Sequence, residues 1–336
     1  MQNMNSPTET TTNYDSNELS SHTRQVPTLS LGDYTNGTLV QKGLFVQQLF
    51  HGIKDYGFII LKDHPVEQSL LKKAYEILEA FYALPTETKV KYATVAGGQR
   101  GYTPFGKEHA KDSPVMDLKE FWHVGRDLEE KNNPFYPPNI WPSEIPEFRV
   151  IFTELYAKLE ETGNIMMEAL TGPLEVPQDF FRQLTHQGNS ILRLLHYPAI
   201  PEGIDPRCIR AAAHEDINFI TLLPAATQSG LQLKDRDGKW LDIVSDPGTL
   251  IVDAGDMLAR LTNDVIPSTT HQVINPQDGT NQPRYSMPFF MHPHPEAMLS
   301  CLESCKNAGN NKSAKYPPIK SGDFLLQRLR EIGLIK

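Results

Sequence analysis

Cysteine is nearly missing from this chain of 336 residues, which has only Cys208, Cys301 and Cys305. An odd, sparse set builds no disulfide framework, so the small stapled secreted folds are excluded and a reducing compartment is expected. Cys301 and Cys305 stand four apart, and no further Cys or His completes a zinc spacing around them. No run approaches about 18 consecutive apolar residues, so no membrane-spanning helix is expected. The N-terminus lacks the basic-then-apolar pattern of a secretory signal. Lys/Arg runs are absent as well. With 32 basic residues against 41 acidic ones the formal net charge is −9, and a molecule of that charge repels nucleic acid and anionic membrane. The expectation is a cytoplasmic protein whose partner is a small molecule, with its oligomeric state open.

What is present is an ordinary globular composition, 39% apolar and 22% charged, on a chain long enough to bury a large core. There is no internal repeat. Residues 1–25 are rich in Ser, Thr and Asn and too poor in large apolar groups to offset their ordering entropy, so a disordered tail is expected there. Residues 44–54 read as an amphipathic helix, with Phe45, Leu49 and Ile53 at helical spacing and Tyr56-Gly57 as its stop. Residues 58–61 read as a short buried strand. A second helix spans 66–82, with Leu70, Leu71, Ala74, Ile77 and Leu78 inward. Residues 93–114 look loop-like, broken by Gly97-Gly98 and Gly101, and 134–146 are irregular and crowded with proline. The longest helix is expected over 146–170, striped by Phe148, Ile151, Phe152, Leu155 and Leu159.

Near Ser190 the pattern changes. From there to Pro293 the chain reads as about eight short strands separated by turns, among them 191–197, 219–223, 249–252, 257–261, 270–274 and 285–291. Two more flank Asp237-Gly238, a strong turn dipeptide. The fold class that follows is mainly β with packed helices, the β part an antiparallel sandwich or jelly roll. Residues 26–175 would form a helical and mixed region packed on the core, 176–300 the jelly-roll core, and 301–336 a closing loop and helix.

Inside the strand-rich region stand His214-Glu215-Asp216 and, after a gap long enough for several strands to cross, His271. On a strand, residues i and i+2 share a face. His-x-Asp therefore aims an imidazole and a carboxylate at one point, with Glu215 facing away. Two imidazoles and one carboxylate cover one face of an octahedral ion and leave three positions open, the ligand set of non-haem iron(II) oxygenases. Zinc also accepts such a set, and His-x-Asp alone is common surface chemistry. Arg284-Tyr285-Ser286, shortly after, turns the balance to iron. Arg284 and Ser286 again share a strand face and adjoin the apolar run Met287-Pro288-Phe289-Phe290-Met291, which argues for burial. A buried guanidinium needs an anion, and its planar fork matches a carboxylate, with the Ser286 hydroxyl as a further donor. A dicarboxylate fits, one end on Arg284 and a 2-oxo acid end on the metal.

At these residues the chain resembles the isopenicillin N synthase-like branch of the 2-oxoglutarate/iron(II) oxygenases, over roughly residues 26–300. The motifs are Val26-Pro27-Thr28-Leu29, Tyr56-Gly57-Phe58-Ile59-Ile60 before His64, Gly101-Tyr102, Asp117-Leu118-Lys119-Glu120-Phe121, Leu195-His196-Tyr197-Pro198, His214-Glu215-Asp216, Gly230-Leu231-Gln232-Leu233, Gly255-Asp256, Thr262-Asn263, His271 and Arg284-Tyr285-Ser286. The resemblance implies a double-stranded β-helix core. It implies His214, Asp216 and His271 as the catalytic ligands of iron(II), and Arg284, Ser286 and Tyr197 as contacts of 2-oxoglutarate. Phe290 falls where family members contact the primary substrate. Arg100 and Tyr102, with Trp122 and His123, resemble the segments that cover the barrel mouth, which makes Arg100 and Tyr102 candidate substrate contacts. His123 is expected as a structural side chain, His196 as facing away from Tyr197, and His292 and His294 on a solvent-facing loop. The chain departs from the plant branch at Leu195, where Asn is common, and at Gln272, where the usual run is His-Arg-Val. The implied activity consumes O2 and 2-oxoglutarate with Fe(II), hydroxylates or desaturates a small molecule, and releases succinate and CO2. Two alternatives stand beside it. One is an oxidase like isopenicillin N synthase, in which Arg284 and Ser286 hold the substrate's own carboxylate. The other is a catalytically silent jelly-roll binding module.

Overall fold

The computed structural model describes residues 25–93, 99–109, 114–128, 133, 135–307 and 313–331. The tail expected over residues 1–25 lies, Gln25 aside, outside the described residues, as do Gly97 and Gly98. The first half of the chain forms β1 (Thr28–Ser30), α1 (Leu31–Thr35), α2 (Leu39–Tyr56), β2 (Phe58–Lys62), α3 (Gln68–Tyr82), α4 (Thr86–Val90), β3 (Gly101–Thr103), β4 (Glu120–Gly125) and α5 (Phe148–Ala169). Then follow α6 (Phe180–Thr185), β5 (Ile191–Tyr197), β6 (Ala211–His214), β7 (Ile220–Pro224), β8 (Leu231–Lys234), β9 (Trp240–Asp242), β10 (Leu250–Ala254) and α7 (Asp256–Leu261). The chain closes with β11 (His271–Val273), β12 (Arg284–Ser286), β13 (Phe289–Met291), β14 (Met298–Leu299), β15 (Ile319–Lys320) and α8 (Ser321–Glu331).

Two sheets make the core. The larger has nine strands in the order β1-β2-β10-β7-β13-β5-β4-β3, with β12 also pairing β5; the smaller has the order β6-β11-β8-β9. β1 to β4, from the N-terminal region, thus belong to the same large sheet as the strands after Ser190. The large sheet buries both faces, and its strands alternate accordingly. On β10, Leu250, Val252 and Ala254 join the core shared with the helices, while Ile251 joins the cluster between the sheets. On β7, Ile220 and Leu222 face the helices and Leu223 the small sheet. This is period-2 geometry, and it sends every second side chain toward the space where the site lies.

The helices form where caps and stripes dictate. α2 starts earlier than its apolar spacing indicated, at Leu39. Thr38 and Gln41 form a reciprocal capping box there, which satisfies two of the helix's orphan donors. Gly57 ends it at φ 71, a left-handed conformation that glycine adopts without strain. α5 lays Phe148, Phe152, Leu155 and Leu159 into the core as expected, with Ile151 at its margin. Gly163 lets α5 approach β13, since a Cβ there would lie 2.7 Å from Met291 Sδ.

Four expectations need correction. Residues 257–261 form the helix α7 rather than a strand: a short apolar run has no readable period, and Met, Leu, Ala and Arg are good helix formers. The strand expected over 285–291 is two strands, parted at Met287-Pro288, because Pro288 has no N–H to extend the ladder. Residues 93–114 are not all loop, since 101–103 form β3 paired with β4. The region after Ser190 holds nine strands, β5 to β13.

Candidate active site

β6 and β11 are neighbours in the small sheet, and their register sets His214 opposite His271. The two rings lie 4.4 Å apart between centroids. His214 Nδ1 is 2.7 Å from the Ala212 carbonyl oxygen, and His271 Nδ1 is 3.2 Å from that of Thr269. Each Nδ1 carries the proton and donates it, which leaves the Nε2 lone pairs to coordinate. Asp216 Oδ1 lies 3.9 Å from His214 Nε2 and 3.8 Å from His271 Nε2. One ligand atom from each of the three residues falls within 4.8 Å of the others.

His214 stands on a strand as expected, but Asp216 does not. β6 ends at His214, and Asp216 stands in the loop beyond it. Its backbone carbonyl accepts from the Asp256 N–H at 2.7 Å, and the Thr221 hydroxyl on β7 donates to its Oδ2. The loop therefore crosses from the small sheet to the large one and hangs the carboxylate between them. Glu215, expected to face away, lines the outer cavity described below and accepts from the Thr270 hydroxyl.

Burial, and then the neighbouring His271, lower the His214 pKa to about 4, so its imidazole is neutral at neutral pH. Burial pushes Asp216 upward, but His271, His214 and the Thr221 hydroxyl outweigh it and hold the carboxyl below its ordinary value. A neutral His214 and an ionised Asp216 are the ligand forms a divalent cation requires. Asp253, buried on β10, is pushed well up by burial and by the adjacent Asp216 charge.

A cavity of about 60 Å3 runs from these three residues between the sheets. Arg284, Ser286 and Tyr197 line it, brought together because β12 pairs β5 with Arg284 opposite Tyr197. Arg284 is 2% exposed. Its Nε donates to the Gln228 carbonyl at 3.0 Å, and its Nη1 is buried with no partner among the described residues. Among the described residues no carboxylate pairs with it. Burial lowers its pKa. A buried cation with a free donor, beside three ligand atoms, fits a ligand that has a carboxylate at one end and binds metal at the other.

A second, outer cavity of about 270 Å3 adjoins the first, and His214, Asp216, Arg193 and Phe290 line both. Phe290, an expected substrate contact, thus stands where the two cavities meet. Arg100 and Tyr102, also expected as substrate contacts, stand elsewhere. Both are 2% exposed and neither lines either cavity. The Tyr102 hydroxyl donates to the buried Glu120 carboxylate, and the Arg100 guanidinium packs against Gly125; Gln99 reaches the outer cavity instead. His292 also needs correction. It is 8% exposed and lines the outer cavity, and burial lowers its pKa to about 4. His123 lines the same cavity and accepts from Arg193 Nε at 2.6 Å. His196 faces the far side of the sheet as expected, stacked on Tyr285 and bonded to Glu120.

Sequence reasoning passed over Arg193, although the alternation along β5 marks it. Ile191, Arg193, Leu195 and Tyr197 share one face, and all of them line the cavities. It also passed over Leu325, Arg328 and Leu329 of α8, which wall the outer cavity. A helix can be read from sequence, but its docking place cannot.

Comparison with known proteins agrees with this geometry. Residues 188–293 match the family described as the 2OG-Fe(II) oxygenase superfamily, and residues 26–144 match that described as non-haem dioxygenase in morphine synthesis N-terminal. A proline hydroxylase of Petromyces alliaceus is 31% identical over 307 residues, covering 87% of this chain and 94% of the relative. A crystal structure of a 2OG-Fe(II) oxygenase family protein from Caulobacter crescentus shares 44% identity at a TM-score of 0.81, covering 91% of this chain and 98% of that one. A full-length Neurospora crassa protein, crystallised in complex with alpha-KG and thymine, shares 29% identity at a TM-score of 0.82, covering 91% and 96%.

Proposed function

The chain belongs to the 2OG-Fe(II) oxygenase superfamily, and from that premise we propose that it is an iron(II)- and 2-oxoglutarate-dependent dioxygenase that hydroxylates a small molecule. His214, Asp216 and His271 hold the iron. Arg284 and Ser286, with Tyr197 beside them, hold the far carboxylate of 2-oxoglutarate. The primary substrate enters the outer cavity and meets Phe290. Iron(II) supplies the O2 chemistry here, with oxidative decarboxylation of the oxo acid to succinate and CO2 as the source of electrons. The side chains do the rest. Thr221 fixes the Asp216 carboxylate, the Ala212 and Thr269 carbonyls fix the two imidazoles, and the apolar walls keep water from the reacting atoms. Two relatives are named for or bound to small cyclic compounds, proline and thymine, and the outer cavity suits a substrate of that size class. The three cysteines are free, which supports a reducing compartment, and we place the enzyme in the cytoplasm.

One observation carries this reading: a buried guanidinium without a carboxylate partner among the described residues, in the same small cavity as His214, Asp216 and His271. The division of the site supports 2-oxoglutarate over the oxidase alternative. The inner cavity suits a short dicarboxylate, and a separate, larger one takes the substrate. The test is an anaerobic ultraviolet–visible titration with iron(II) and 2-oxoglutarate, followed by succinate release in air. A weak visible charge-transfer band is expected in the wild type and not in His214→Ala. O2 uptake indifferent to 2-oxoglutarate, with no band, would establish the oxidase instead.

A further inference from the structure

One wall of the outer cavity carries a charge cluster that the chemistry above does not use. Glu108, Asp117, Lys119 and Arg193 all line it. Lys119 Nζ lies 2.8 Å from Glu108 Oε1 and 2.8 Å from Asp117 Oδ2, and Arg193 Nη1 lies 3.1 Å from the same Glu108 oxygen. Two cations balance two carboxylates, so the wall is polar without net charge. The pairing is lopsided at Glu108. Both cations sit on Oε1, while Oε2 is buried with no partner among the described residues, on a side chain only 10% exposed. Burial pushes this carboxyl up, but Arg193 and Lys119 outweigh it and keep it ionised. Asn189, which lines the same cavity, has a second buried oxygen without a partner among the described residues, Oδ1. A third unpaired atom, His292 Nδ1, can take either role, and a fourth, Arg328 Nε, is a donor. Leaving an ionised carboxylate oxygen without a donor is costly. Neither Glu108 nor Asn189 oxygen is satisfied by a ligand that only accepts. An N–H donor meets an ionised carboxylate oxygen with a charge-assisted hydrogen bond, and an ammonium adds its own opposite charge.

We propose that Glu108 Oε2 is a specificity-determining contact for an N–H group of the primary substrate, which makes the substrate class a small amine, amino acid or cyclic amide. This rests on the oxygenase reading, because it takes the outer cavity as the substrate site. Succinate formation with iron(II) and 2-oxoglutarate is measured in the presence of matched pairs: L-proline against N-acetylproline for the amino acid class, thymine against its N,N-dimethyl derivative for the cyclic amides, and further free amino acids and cyclic amides with their N-blocked partners. N–H compounds of one class should raise succinate formation above the substrate-free rate while their blocked partners do not. With the active compound, Glu108→Gln should raise KM about ten- to a hundredfold, the size of one hydrogen bond to a charged group, and alter kcat less. The charge-transfer band reports whether the variant has kept its site, and the matched pairs decide the question on the wild type if it has not. Blocked and free partners acting equally, KM unmoved in a variant that keeps the band, or no N–H compound acting while the wild-type band forms would each overturn the inference and leave the oxygenase reading standing. A wild type without the band would count against that reading itself.

Discussion

Arg284 is a buried cation whose surroundings leave it a free donor. It is 2% exposed, lies 5.1 Å from the centroid of the Tyr197 ring, and keeps a buried Nη1 for which the described residues offer no acceptor. A carboxylate arriving there gains charge-assisted hydrogen bonds, each worth about 1.5–3 kcal/mol. Arg284→Ala should therefore weaken 2-oxoglutarate about ten- to a hundredfold in the band titration, while iron(II) uptake measured without the oxo acid is retained, because Arg284 supplies no metal ligand. An unchanged 2-oxoglutarate affinity would remove Arg284 from the cosubstrate site. Arg284 and Ser286 were readable from sequence as two side chains on one face of a strand, because their i, i+2 spacing puts them there. Arg100 and Tyr102 were not, because they are placed by partners that local pattern does not reveal: the Gly125 backbone and the Glu120 carboxylate.

Between the elements, the end of α2 props up the strand that carries His271. Gly57 accepts from the Ala254 N–H at 3.0 Å, and a Cβ on it would run into Thr269 Oγ1. Thr269 is the residue whose carbonyl orients the His271 ring. Gly57→Ala should thus cost about 1–2 kcal/mol for the left-handed backbone alone, with more from the collision. It should lower both the melting temperature and the affinity for iron(II). A variant that melts early but binds iron as tightly as the wild type would show that the α2 end does not position His271. Gly57 as a helix stop was legible, since a glycine closing an apolar stripe is a common C-terminal signal. Its role against Thr269 was not, for that contact joins positions more than two hundred residues apart in sequence. The same limit explains Asp216. Its spacing from His214 is a strand's, but a loop anchored on Asp256 and Thr221 holds it.

At the scale of the whole molecule, a jelly roll and the cluster of His214, Asp216 and His271 were legible in the sequence, but not the cavity walls, to which β2, β4 to β8, β10 to β13 and α8 all contribute. His292 is a product of that assembly. Alone after the last core strand it looks solvent-facing, yet the large sheet and α8 enclose it, and burial lowers its pKa from the ordinary 6.5 to about 4. The folded state then refuses a proton that the unfolded chain accepts. The stability this provides is fully present above pH 6.5 and is lost as pH falls through the folded pKa. The loss amounts to about 3 kcal/mol over that window, at about 1.4 kcal/mol per unit. His214 acts in the same direction when no metal holds it, also with a pKa of about 4. Asp253, whose pKa is raised, acts in the opposite one. The His292 contribution is therefore read as a difference. Chemical denaturation of wild type and His292→Gln should give unfolding free energies whose gap, wild type minus variant, shrinks by about 3 kcal/mol between pH 7 and pH 4. A gap that holds constant over that range would mean that His292 takes up its proton in the folded protein as readily as in the unfolded chain.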